Sequence, residues 1–167
     1  EGRGLMLIDS HCHLDFDDLA ADEPGVLARA RTAGVGGMLT IGTRLDRFDK
    51  VRAIAERHAN IWCTVGVHPH EVRHIGDGWY DDLRRLAQHP KVVAYGEIGL
   101  DYHYNYSPPK LQRERFREQI LLARDLNLPV IIHTREAQED TIAILKEEQA
   151  GGSGGVFHCF TGDAWLA

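Results

Sequence analysis

Asp9-Ser10-His11-Cys12-His13-Leu14-Asp15 follows directly on the apolar run Leu5-Met6-Leu7-Ile8. The run reads as a buried β-strand that ends in the polar stretch. His11 and His13 are two residues apart, so on extended backbone both imidazoles leave the same face. Two nitrogens then converge on one point, as metal ligation requires. Cys12, between them, faces the other way. An isolated His-x-His is equally compatible with a surface loop, so the reading depends on what the other strands carry at their ends.

Five more apolar runs with β-branched members read as strands, at residues 35–42, 61–67, 92–101, 128–132 and 156–157. Between them lie helical patterns at 23–33, 45–58, 78–89, 107–127 and 134–149. In the second of these, Phe48, Val51, Ile54 and Ala55 share one face. In the fourth, Leu111, Phe116, Ile120, Leu121, Ala123 and Leu126 mark the buried side, and Asn127 closes the helix. Residues 15–22 are acidic and polar and read as a loop or short turn. Gly151-Gly152-Ser153-Gly154-Gly155 is a break before the last strand.

Short apolar strands alternating with helices indicate α/β architecture with a parallel sheet. An open doubly wound sheet and a (β/α) barrel both fit that alternation. No GxGxxG follows the first strand, so the dinucleotide-binding form lacks its marker. The placement of polar residues favours the barrel. His11, His13, His68, Glu97, His133 and His158 all fall at C-terminal ends of predicted strands, and in a TIM-like (β/α) barrel those ends ring one shared site. In an open sheet they would be spread along a line. A lone histidine after a strand is usually a solvated cap. Several such tips together would need a partner for every buried ring nitrogen, which is costly without a metal. Imidazole with carboxylate suits zinc, manganese or a similar divalent ion. Cys12, Cys63 and Cys159 have no CxxC partner and are poor ligand candidates.

Composition sets the outer limits. The 167 residues are 43% hydrophobic and 26% charged, ordinary globular material for one domain. No apolar run approaches the roughly 18 residues of a membrane span. No signal peptide precedes the first strand, and Glu1-Gly2-Arg3-Gly4 is compatible with an added tail. The odd count of three cysteines argues for a reducing, cytoplasmic setting rather than a disulfide framework. The formal net charge of −6 argues against a broad nucleic-acid-coating surface, but not against a few phosphates held at a metal site.

Five motifs carry a resemblance: Asp9-Ser10-His11-Cys12-His13-Leu14-Asp15, Gly66-Val67-His68-Pro69-His70, Gly96-Glu97-Ile98-Gly99-Leu100-Asp101-Tyr102, Ile132-His133-Thr134-Arg135-Glu136 and His158-Cys159-Phe160-Thr161-Gly162. In order and spacing they resemble the TatD family of metal-dependent hydrolases, over nearly the whole chain. The resemblance implies a divalent-metal phosphodiesterase acting on DNA. It implies one metal on His11 and His13, a second on His133 and His158, and Glu97 bridging the two. It places His68 and Arg135 beside the substrate phosphate. The cations would be zinc, magnesium or manganese.

The resemblance also implies an aspartate in a Thr-Asp-Ala-Pro-like motif, as a metal ligand and general base. This chain has no such motif, and Asp163 follows the sixth strand too closely to be that residue. About six of the eight β/α units of a full barrel are present. The expectation is therefore a barrel domain lacking its C-terminal part, slow or inactive as it stands, with open edges prone to self-association. Two other classes remain: a metallo-hydrolase of a small ester, amide or aminoacyl bond, and a non-catalytic binding fragment. Tyr102 and Tyr104 could stack on bases, although loop packing is the commoner role of such residues.

Overall fold

The computed structural model describes residues 6–165. Leu5 of the expected first strand, the tail Glu1-Gly2-Arg3-Gly4 and Ala167 lie outside them. The described elements, in chain order, are β1 (Leu7–Cys12), α1 (Asp17–Ala20), α2 (Glu23–Thr32), β2 (Val35–Thr40), α3 (Phe48–Arg57), β3 (Ile61–Val65), α4 (Trp79–Leu86), β4 (Val92–Asp101), α5 (Pro109–Asp125), β5 (Val130–Arg135), α6 (Gln138–Glu147) and β6 (Gly155–Phe157).

Local chemistry explains most of the boundaries. The Asp22 carboxylate accepts from the Gly25 backbone N–H at the start of α2, with Pro24 in the first turn. Gly34 ends that segment at φ +89°, a left-handed position where a side chain would be strained. Pro109 opens α5, and Asn127 stands just beyond its end at φ 53°.

All six strands are parallel and pair in the order β1-β2-β3-β4-β5-β6. A doubly wound sheet reverses its strand order at a switch point. This one does not, and it curls into a half-barrel. The main core lies between the strands and the helices on the convex side. Phe48, Val51, Ile54 and Ala55 of α3, Leu83 of α4, and Phe116, Ile120, Leu122 and Ala123 of α5 are buried there against Ile61, Tyr95, Ile98 and Ile132. The concave face carries a far smaller cluster, Ile41, Ala94 and Ile131 with Leu39 beside them.

Residues 15–22 form the expected loop with one short turn, α1. Three expectations need correction. Helix α6 starts at Gln138 rather than at 134, because β5 continues to Arg135 in register with Asp101 of β4. On α5 the buried leucine is Leu122, with Leu121 only partly covered. Finally, β1 is not buried. Leu7 and Ile8 are 47% and 55% exposed, because β1 is an edge strand beside an open concave face. At the opposite edge Val156 of β6 is 52% exposed. Among the described residues no helix is long and apolar enough to cross a membrane.

Candidate metal centre

Glu97 lies inside β4, and its side chain is 3% exposed. Two features of its motif place it there. Its backbone N–H donates to the Gly42 carbonyl at 2.8 Å, fixing it over the end of β2. Two residues on, Gly99 has φ +140°, and a Cβ at that position would collide with the His133 carbonyl. Glycine thus lets β4 and β5 approach closely enough for Glu97 to meet His133. The Gly96–Glu97 peptide is cis.

The structure brings every histidine singled out in the sequence to this carboxylate. Oε2 faces His11 Nε2 at 3.3 Å and His13 Nε2 at 4.0 Å. Oε1 faces His158 Nε2 at 2.6 Å, His133 Nδ1 at 2.9 Å and His68 Nε2 at 3.5 Å. The rings of His11 and His158 stack at 4.0 Å with 8° between planes, so His158 stands between the two groups. Burial pushes the Glu97 carboxyl toward neutrality, but the imidazoles bonded to it prevail and hold it well below the usual carboxylate range. Burial lowers His13 and His68 below the ordinary imidazole value.

Hydrogen bonds sort the imidazoles by what they can offer. The His70 backbone N–H donates to His68 Nδ1 at 3.1 Å. A neutral His68 then carries its proton on Nε2, the atom facing Glu97, and presents a donor rather than a lone pair. His133 is the reverse case. Its Nε2 lies 2.9 Å from Asp101 Oδ2, so a neutral ring keeps its proton there and has its Nδ1 lone pair to offer a cation in the centre. Burial works against the charged form of His133, yet Glu97 and Asp101 together raise its pKa. His70 Nε2 lies 2.9 Å from the same Asp101 oxygen, on the far side from Glu97.

The residues fit divalent cations. Nδ1 of His11 and Nδ1 of His13 are buried without a hydrogen-bond partner, and His11 Nε2 has only the 3.3 Å approach to Glu97, an expensive arrangement for polar atoms that have no other role. Two sets, His11–Glu97–His158 and His68–Glu97–His133, bring three donor atoms within 4.8 Å of one another. The tautomer of His68 argues against it as a ligand in the second set. The centre opens into a cavity of about 310 Å³ bordered by Phe16, Thr43 and Glu71. A larger cavity beside α6, about 700 Å³, is lined by Glu136, Glu139 and Asp140 and reaches none of these histidines.

Arg135 lies elsewhere. Its guanidinium sits 4.8 Å from the ring centre of Tyr104, at the rim. Four contributors were given no role by the motifs. Asp101 and His70 appear in them, but the Asp101 oxygen that meets both His70 and His133 gets there through the packing of β3, β4 and β5. The others are two glutamines of α5, one helical face apart at i and i+7. The Gln119 amide pairs with both the N–H and the C=O of Val67, at 2.8 and 3.0 Å, immediately before His68. The Gln112 amide does the same for Asp101, at 2.8 and 2.9 Å. Both are fully buried. An amphipathic pattern shows glutamine only as polar, so neither stood out.

The TatD related DNase family profile matches residues 8–167. The chain belongs to this family. It is 40% identical over 162 residues to an uncharacterized metal-dependent hydrolase, YabD, of Bacillus subtilis, covering 97% of this chain and 64% of that protein. It is 45% identical over 159 residues to a 3'-5' ssDNA/RNA exonuclease TatD of Cronobacter turicensis, covering 95% and 58%. The crystal structure of YjjV, a TatD homolog from Escherichia coli, superposes with TM-score 0.90 at 34% identity, over 96% of this chain and 62% of that one. The chain thus spans about three-fifths of the length of these TatD relatives.

Proposed function

We propose that this TatD chain carries the metal-binding face of a hydrolase that cleaves phosphodiester bonds at the end of single-stranded DNA or RNA. One observation carries the reading: a single buried carboxylate with imidazoles on both oxygens, two of whose nitrogens, Nδ1 of His11 and Nδ1 of His13, are buried without a hydrogen-bond partner. Glu97 would hold two divalent ions, zinc, magnesium or manganese, one with His11 and His13 and the other with His133 and His158. Bound there, the cations would supply Lewis-acid neutralisation of a phosphoryl oxygen and acidify a coordinated water.

The protein's own groups complete the arrangement. His68 directs its Nε2 proton toward the centre and donates to a phosphoryl oxygen. Asp101 fixes the tautomer and direction of His133. Arg135, at the rim, offers a planar fork of donors to a neighbouring phosphate. Small-substrate metallo-hydrolases of the lysine-bridged kind need a lysine beside the metals. Here Lys91 donates to the carbonyls of His58 and Ile61 at 2.8 and 2.9 Å, at the opposite end of the strands. That favours the carboxylate-bridged, phosphodiester reading.

The test is Glu97→Gln in the protein at its natural length. Metal retained after dialysis, counted by mass spectrometry, should fall by at least one ion per chain. Release of nucleotides from a labelled oligonucleotide should drop at least a hundredfold. Unchanged metal content and an unchanged rate would overturn the proposal.

A further inference from the structure

The loop between β4 and α5 presents two aromatic rings that the core does not use. Tyr104 and Tyr106 stack on each other at 5.3 Å with 9° between planes. They are 46% and 49% exposed. His70 sets its edge against both, at 5.4 and 4.8 Å, and lies 6.0 Å from His133. The stack therefore begins one side chain from a proposed metal ligand. Arg135 adds a cation against Tyr104.

These rings are exposed but not loose. Tyr104 N–H donates to Asp101 Oδ1 at 2.9 Å, and Arg73 donates to the Tyr106 carbonyl at 2.6 Å. Ser107, fully buried, donates to the His70 carbonyl at 3.0 Å. A loop anchored so closely could have turned its rings inward, as Tyr102 does in bonding Asp140 and Arg113. Tyrosines held rigid and outward offer a large flat surface at little conformational cost.

We propose that Tyr104 and Tyr106 form a base-stacking subsite for a nucleotide of a single-stranded nucleic acid whose backbone lies at the metal centre. This rests on the phosphodiesterase reading and adds how the substrate is held. Every base has a flat face, so the subsite is tolerant of sequence. Bases in a duplex are already stacked on their neighbours, so it favours unpaired ends. Arg135 beside the rings matches the phosphate that follows each base.

The experiment uses the protein at its natural length and two oligonucleotides, one of thymidines and one ending in three abasic residues. The parent should cleave the base-bearing end about 5- to 100-fold more efficiently in kcat/KM, the range that stacking of a base supplies. The double variant Tyr104→Leu/Tyr106→Leu should lose that preference, and Tyr104→Phe/Tyr106→Phe should keep it. A parent indifferent to the bases, or a leucine variant that still discriminates, would overturn the subsite. A second arm follows quenching of a terminal 2-aminopurine in EDTA, where no cleavage occurs. Quenching by the parent and the phenylalanine variant, but not by the leucine variant, supports the subsite even if no oligonucleotide is cut, in which case only the hydrolase reading falls. Absence of quenching by the parent overturns the subsite.

Discussion

At the scale of single residues, the centre is an arrangement of proton positions as much as of ligands. His68 and His133 both face Glu97, yet backbone and carboxylate partners give them opposite tautomers. Asp101 should therefore matter without touching a cation. Asp101→Asn weakens the acceptor that holds the His133 proton, and divalent-metal affinity measured by titration calorimetry should fall about 10- to 100-fold. The His-x-His spacing and the isolated Glu97 were legible in the sequence, because period two and strand ends are local properties. The role of Asp101 was not, because the residue it orients lies 32 positions away, on the neighbouring strand.

At the scale of elements, α5 shows where pattern reading succeeds and where it falls short. Phe116, Ile120 and Ala123 lie on its buried face as their spacing predicts. Between two adjacent leucines, the pattern favoured Leu121, whereas the structure buries Leu122. The helix is rotated so that Leu122 enters the core, in company with Gln112 and Gln119, and a buried glutamine shifts the apparent apolar stripe. Leu122→Ala should cost about 2–5 kcal/mol of stability in denaturant unfolding, and Leu121→Ala about 1 kcal/mol or less. Equal losses would mean that the helix sits in a different rotation. Strand β5 likewise outran its apolar run, because Thr134 and Arg135 pair with Leu100 and Asp101. Pairing partners distant in the chain are invisible to periodicity.

At the scale of the whole molecule, the alternation of strands and helices pointed to a parallel sheet, and the polar strand ends pointed to a barrel rather than an open sheet. The sequential strand order bears that out. The open edges expected of about six β/α units appear as a concave face that these strands leave partly uncovered. Ile8, Val93 and Val156 are 55%, 39% and 52% exposed, and both edge strands end the sheet unpaired among the described residues. A polypeptide of these 167 residues alone should melt low and broadly and self-associate in light scattering. A sharp, high-temperature melt from a monomer would contradict this. The glutamines of α5 have one more implication. A single rigid rod grips the main chain beside His68 and beside Asp101. A small slide of that rod along its axis would carry the proton donor and the support of His133 in step. Whatever pushes on the outer surface of α5 therefore has a mechanical handle on the chemistry within.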